Sequence, residues 1–465
     1  MEHLSALDAG FLEVEDSDPH ISMAIGGVSV LDGPVPDFDE LVTALTERLV
    51  TVPRLRRVLR THRFDLEPPE WVERTGLDLR HHFRRTALPQ PGDDATLFRA
   101  IADIFERRLD RDHPLWECWV IEGLAQDRWA LVMKVHHCIA DGISATRMVT
   151  GLSDNGASAT TFATDINATD INATDINATK SAAATGAGRS LPLNPLDWGR
   201  GAVELSATAT TVAARALRGT VEVVSGLVSP AAASSLNGPV STLRRYHAAR
   251  VSLSEVNAVC AAFDATLNDV ALTAITQGYR EVLLRRGERP DRTSLRTLVP
   301  VSVRQTEDLD TPDNRVSIML PLLPVDRANP LDQLRLVRSR MSRAKSSGQK
   351  QAGSSVVGVA GLLPFPLTAW AVRLLSRLPQ RGVVSLATNV PGPRQRLQVL
   401  GRDVVRMLPV PPIALHLRSG IAMLSYGDDL TFGIVADYDS APDLDVLATG
   451  IERSVARLAE LAAKR

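Results

Sequence analysis

Apolar positions recur along this chain with two periods, and segments of one period alternate with segments of the other. A period near two, or a short unbroken apolar run, marks a strand; a period of 3.6 marks a helix packed on one face. The pattern predicts strands at Ser22–Leu31, Cys118–Ile121 and Trp129–Val135. Helices are predicted at Asp37–Leu49, with Phe38, Leu41, Val42, Leu45 and Leu49 on one face, and at Thr96–Leu109, with Leu97, Ile101, Ile104 and Phe105. Ile143–Val149 opens another helix. The second half repeats the alternation. Strand His247–Leu253 leads into helix Leu253–Asp264, and a long helix runs to Arg285 with Asn268 or Asp269 as its N-cap. Strands Ser294–Val303 and Ile318–Leu323, helix Leu331–Lys345, and a strand with a sharp turn over Val383–Pro393 follow. A hairpin pairs Ile421–Ser425 with Leu430–Ala436, and helix Asp443–Ala463 closes the chain.

At 465 residues the chain exceeds what one core supports, so two α/β units are expected. We place them at residues 1–154 and 241–465, joined by an insertion and crossover helix at 155–240. The joining segment holds three copies of Thr-Asp-Ile-Asn-Ala at 164–178 and a predicted helix at Ala202–Leu227. A hydrophobic share of 44% with 23% charged residues suits a globular protein. The net charge of −2 argues against a nucleic-acid partner. The three cysteines have neither metal nor disulfide spacing, which points to a reducing cytoplasm. We expect no secretory leader and no membrane-spanning helix. The nearest apolar stretch, Val356–Val372, is interrupted by Pro364 and Pro366. It reads either as a broken buried helix pair or as a surface that dips into a membrane or lipid droplet.

Candidate chemistry concentrates at His136-His137-Cys138-Ile139-Ala140-Asp141-Gly142, between the Trp129–Val135 strand and the helix that follows. An imidazole at a strand end can take a proton from an alcohol as its oxygen attacks a thioester. Asp141 can hold the loop, and Gly142 can permit a tight turn. A second pair, His81-His82, lacks both the strand and the Asp-Gly and reads as structural. The Arg-rich stretch Pro53–Arg60 could meet phosphates or form a solvated face, and the solvated face is the simpler reading. Pro114-Leu115-Trp116-Glu117 turns the chain into its strand around a large indole.

These blocks, with Leu4-Ser5-Ala6-Leu7-Asp8-Ala9-Gly10-Phe11-Leu12, Asn268-Asp269-Val270, Pro300-Val301-Ser302-Val303-Arg304 and Asn389-Val390-Pro391-Gly392-Pro393, occur in an order that resembles the bacterial wax ester synthase/acyl-CoA:diacylglycerol acyltransferases. The resemblance implies two chloramphenicol acetyltransferase-like domains, each a mixed sheet flanked by helices, with an active-site tunnel between them. It implies O-acyl transfer from acyl-CoA, as cosubstrate, to diacylglycerol or a long-chain alcohol, with no metal or prosthetic group. By that analogy His137 and His136 form the catalytic pair: His137 is the general base, and His136 chiefly supports the loop. Asp141 would fix the loop by pairing with an arginine, for which we nominate Arg304. Gly142 would serve backbone shape, and Asn268 would orient the acceptor or the oxyanion, or cap its helix. Cys138 stands where the family often has Ala and would be packing, not a nucleophile. The protein would be cytoplasmic, peripheral on the inner membrane face or on lipid droplets. Two alternatives share the motif or the fold: a condensation or polyketide-associated acyltransferase fed by carrier proteins, and a non-catalytic lipid-droplet binding protein.

Overall fold

A computed structural model describes residues 2–62, 67–74, 76–156, 234–302, 316–346, 373 and 382–465. The Thr-Asp-Ile-Asn-Ala copies at 164–178, the Ala202–Leu227 helix, Val356–Val372 and Arg304 lie outside the described residues.

Fifteen strands are described: β1 Glu2–His3, β2 Ala24–Asp32, β3 Arg57–Arg60, β4 Glu70–Glu73, β5 Phe83–Ala87, β6 Trp116–Leu124, β7 Arg128–His136, β8 Arg244–Ser252, β9 Thr297–Ser302, β10 Val316–Met319, β11 Ser385–Val390, β12 Gln398–Val399, β13 Arg402–Val410, β14 Ser419–Tyr426 and β15 Asp429–Asp437. They build two six-stranded sheets, in the orders β12-β13-β2-β7-β6-β5 and β10-β9-β11-β14-β15-β8, and a small sheet β1-β4-β3. Both large sheets are mixed: β5–β6, β11–β14 and β11–β9 run parallel, and their other pairs are antiparallel.

The central strands are buried on both faces, which explains their unbroken apolar runs. Helix Asp94–Glu106 covers one face of the first sheet and helix Gly142–Gly151 the other. A Cβ on Gly26 would collide with the Met133 carbonyl and reach Phe105, whereas one on Gly27 would meet Val149. Lys134 interrupts the β7 run but is not wasted there. Its ammonium donates to the carbonyls of Ile104 (2.8 Å) and Arg107 (2.6 Å), orphan groups at the end of helix Asp94–Glu106. Burial still lowers the Lys134 pKa to about 8, partly offset by Glu117 and Glu15.

Three N-caps follow the expected chemistry. Asp37, Asp93 and Asp141 each accept main-chain N–H groups from the first turn of their helices. The fourth corrects our reading. Thr266, not Asn268 or Asp269, caps helix Leu267–Arg285, in a reciprocal box with Asp269. That frees the Asn268 side chain for another partner.

The sheets do not divide at the boundary read from the sequence. Strands β12 and β13 come from the second half yet complete the first sheet, with Val410 opposite Gly26 and Leu408 opposite Val28. No strand was predicted there, because Pro409 and the charges of Arg402, Asp403 and Arg406 break the pattern. Pro409 is tolerated near the strand end, where its carbonyl accepts the Tyr246 hydroxyl at 3.0 Å. Tyr426 donates to the Val404 carbonyl at 2.8 Å and accepts from the Leu397 amide at 2.9 Å. The first core therefore contains residues of both halves.

This crossing depends on close backbone approach. A Cβ on Gly433 would sit 1.8 Å from the Pro409 carbonyl oxygen and 2.9 Å from the Tyr246 hydroxyl. We predict that Gly433→Ala costs about 1–3 kcal/mol and lowers the melting temperature. Gly10→Ala, in a helix with nothing within 4 Å of the new methyl, should be neutral or stabilising. Equal melting of the two variants in calorimetry would contradict the crossing as described.

Candidate active site

Strand β7 ends at His136, and the chain then folds into a tight loop whose first amides are hydrogen-bonded. The His136 amide donates to the Leu115 carbonyl (3.0 Å) and the His137 amide to the Met23 carbonyl (2.9 Å). The Ile139 amide returns to the His136 carbonyl at 2.9 Å. His136 itself is buried, and its Nδ1 accepts from the Cys138 amide at 3.1 Å. The ring proton therefore sits on Nε2, which faces Glu15 Oε2 at 3.5 Å. With one nitrogen bonded to the Cys138 amide and the other turned to a buried carboxylate, His136 orders the loop.

Glu15, on helix Ala6–Ser17, is 1% exposed. It accepts from the Met23 amide at 2.9 Å and pairs with Arg111 at 2.8 Å. Burial pushes its carboxyl pKa up, but His136, Arg111 and the Met23 amide outweigh that and hold it at about 2. Arg111 also reaches Asp16 at 2.9 Å. Met23 thus stands between Glu15 and His137, bonded to one through its N–H and to the other through its carbonyl.

His137 is placed differently. It retains some exposure, and its ring stacks on Phe11 with centroids 4.1 Å apart. Burial among apolar groups lowers its pKa to about 4, against the opposing pull of a main-chain hydrogen bond and the Asp141 charge. It is a neutral base at physiological pH. Cys138 is fully buried, and burial pushes its thiol pKa well above the ordinary value, so it is not a thiolate.

Asp141 accepts from the Ser144 amide at 2.8 Å and starts helix Gly142–Gly151. The proposed pairing with Arg304 falls outside the described residues. Gly142 is required for proximity, not for a turn. It is not among the glycines with positive φ, yet a Cβ there would lie 2.8 Å from Val390 Cγ2. This contact brings the end of β11, in the second sheet, against the histidine loop. One residue back along β11, the Asn389 side chain donates through Nδ2 to Asn268 Oδ1 at 2.9 Å. The Asn268 and Asn389 blocks, far apart in sequence, are thus joined beside the loop.

Within Pro53–Arg60, Arg56 and Arg60 are exposed as the solvated reading expects, but Arg54 departs from it. Neither solvated nor open to a phosphate, it is buried, donates to the Ile139 carbonyl (3.2 Å) and pairs with Glu2 (3.0 Å). Glu15, Arg111, Arg54 and Phe11 were all missed as site residues. The Trp116 indole N–H donates to the Leu55 carbonyl at 2.8 Å, so the Pro-Leu-Trp block anchors the segment that carries Arg54. His82 stacks on Trp116 at 4.4 Å and bonds its carbonyl at 2.7 Å, in line with a structural role for the second pair. A cavity of about 1160 Å³ lies elsewhere, between helix Asp94–Glu106 and β8, and none of the loop residues lines it. Among the described residues, no cluster of His, Cys, Asp or Glu could hold a metal ion.

Comparison with known proteins agrees with this architecture. The wax ester synthase/diacylglycerol acyltransferase catalytic domain matches residues 4–271, and the C-terminal domain of the same family matches residues 313–459. The chain is 52% identical to the Mycobacterium tuberculosis protein named "Probable diacyglycerol O-acyltransferase tgs1", over all of this chain and 97% of that one. It is 26% identical to "O-acyltransferase WSD" of Acinetobacter baylyi, over 98% and 96% of the two chains. The solved wax ester synthase/diacylglycerol acyltransferase of Marinobacter aquaeolei VT8 superposes with a TM-score of 0.67 at 25% identity, covering 99% of this chain and all of that one. The first condensation domain of the calcium-dependent antibiotic synthetase shares the fold, with a TM-score of 0.61 at 15% identity over 100% and 97% of the chains. The chain belongs to the wax ester synthase/diacylglycerol acyltransferase family.

Proposed function

We propose that this protein transfers a long-chain acyl group from acyl-CoA to the hydroxyl of diacylglycerol, and secondarily to long-chain alcohols, with His137 as general base. The observation that carries this reading is the state of His137: a neutral, partly exposed imidazole at the junction of the two sheets. The base takes the acceptor proton as the oxygen attacks the thioester carbonyl. The tetrahedral species collapses, the C–S bond breaks, and the imidazolium returns its proton to the CoA thiolate. Transfer is direct. The neighbouring Cys138 is a buried, protonated thiol and forms no acyl-enzyme.

Asp141 fixes the loop as a helix cap, and in this reading the Asn268–Asn389 pair orients the acceptor or meets the developing oxyanion, a role its hydrogen bond near the loop supports. The names of the relatives support both acceptors, since one is a diacylglycerol O-acyltransferase and the family model joins wax ester synthesis to it. Among the described residues, no single helix is long and apolar enough to cross a membrane. A lipid acceptor is dissolved in a membrane or lipid droplet, which supports the peripheral placement we propose.

CoA thiol release from palmitoyl-CoA, with dioleoylglycerol and hexadecanol in parallel, tests the reaction. Release should depend on an acceptor, and His137→Ala should lose at least about a hundredfold in turnover while keeping its circular dichroism. Near-normal rates in that variant would remove His137 from the chemistry. Release only with a carrier-bound thioester would favour the condensation-type alternative, and lipid binding without release would favour the non-catalytic one.

The pH dependence follows from the lowered His137 pKa. The free base is lost only as pH falls through about 4, so kcat/KM should stay level from pH 7.5 down to about 5.5. In the unfolded chain the imidazole takes its proton near the ordinary value of 6.5, so stability declines between about 6.5 and 4. An acid limb of kcat/KM near 6.5 would contradict the assignment.

Asp141→Ala should cost about 1 kcal/mol of stability, read as a lower melting temperature, together with activity; Asp141→Asn, also a good cap, should restore most of the stability. Unchanged melting in the alanine variant would mean that Asp141 acts on substrate instead.

A further inference from the structure

A second group of charged residues lies at the other end of the second sheet, outside the site described above. Asp326 receives Arg327 at 3.2 Å and Arg292 at 3.7 Å. Arg340, on helix Pro330–Ser346, donates to the Leu322 carbonyl at 2.5 Å. It is attracted by Asp326 and crowded by the like charges of Arg343, Arg327 and Arg292. Arg292, Arg327, Arg340 and Arg343 exceed the two carboxylates that act on them, Asp326 and Asp291, by two charges. Three separate segments supply them: the turn after helix Leu267–Arg285, the turn before helix Pro330–Ser346, and that helix itself.

The chain as a whole carries a net charge of −2, so this concentration of guanidinium groups is a local departure. Arg292 and Arg327 are open to solvent, with side-chain exposures of 73% and 46%, and Arg340 is half-buried. The cluster thus has a fixed floor and an accessible rim. Ser302 and Val316 pair with each other and anchor the far end of β9 and β10. Those anchors are five residues along the strand from Thr297, about 17 Å away. Val390, which touches Gly142, is likewise five residues beyond Ser385, the partner of Thr297. The cluster therefore faces away from the reacting end of the strands.

We propose that Arg292, Arg327 and Arg340 form a phosphate-binding site for an organic phosphate, distinct from the His137 loop. Guanidinium groups match phosphate oxygens in pairs, and an incoming anion relieves the repulsion among cations that the two carboxylates leave uncompensated. The proposed function brings such phosphates from two sources: the nucleotide end of the substrate acyl-CoA, and the anionic phospholipids around a membrane-dissolved acceptor.

The test uses the full-length protein carrying His137→Ala, so that binding is read without turnover. The pair Arg292→Glu and Arg327→Glu is compared with Arg292→Gln and Arg327→Gln, with melting temperature as the folding control. One arm measures partition onto phosphatidylcholine vesicles with and without 30% phosphatidylglycerol, at low and high salt. The other measures equilibrium binding of CoA. The glutamate pair should weaken one of these at least about tenfold, the glutamine pair less so, with the effect fading at high salt. Loss confined to anionic vesicles assigns the site to lipid headgroups, and loss confined to CoA assigns it to the nucleotide. If folded variants keep both affinities, the proposal is overturned. Because neither arm depends on catalysis, that result leaves the acyltransferase reading standing.

Discussion

A carboxylate removed from water costs several kcal/mol unless positive charge and N–H donors replace its hydration. Glu15 is in that position, and the elements around the catalytic loop supply what it needs. Arg111 gives a charge-assisted bond, Met23 gives its amide, and His136 turns its protonated nitrogen toward it. Each of those partners comes from a different segment, so satisfying one buried carboxylate fixes helix Ala6–Ser17, the entry to β2, the approach to β6 and the end of β7 in register. His137 is held at the next link, through the Met23 carbonyl. Its orientation is inherited from a polar network that never touches substrate.

Adjacent histidines in one motif thereby acquire opposite environments. His136 is enclosed, with one nitrogen on the Cys138 amide and the other facing Glu15, while His137 stacks on Phe11 among apolar groups, where its charged form is disfavoured. The second half of the chain closes on this loop. Strand β13 crosses into the first sheet, and Val390 closes on Gly142 at a distance that no side chain at that position would permit. The two sheets are thus bound by exchange as well as by contact, and the site forms where they meet.

Much of this was legible in the chain. The β7 run, the helices beginning near Asp37 and Thr96 and the second-half alternation follow from periodicity and local hydrogen bonding, which act over a few residues. The His-His-Cys-Ile-Ala-Asp-Gly loop was found because strand, histidines, Asp-Gly and helix coincide. What escaped depends on long-range packing. Arg54 reads as one cation in a basic run, and only the fold shows it threaded under Ile139. Glu15 lies in an acidic helix segment, and nothing local marks it as buried. Strand β13 carries Pro409 and three charged residues, so its pattern gives no hint that it joins a sheet built from the other half. Gly142 was singled out, but for a turn; its reason is a neighbour more than two hundred residues away in the chain. Thr266 was overlooked as a cap because Asn268 and Asp269 are equally good cap residues nearby, and the choice rests on where the helix meets its neighbours.

The central claim is that His137 is held as a neutral base by an apolar environment, and ¹⁵N chemical shifts of its imidazole report that directly. With histidine-labelled protein and His137→Gln to assign the resonance, the ring should remain neutral from pH 8 to pH 5 and protonate near 4. A titration centred near 6.5 would show a solvated imidazole and contradict the account.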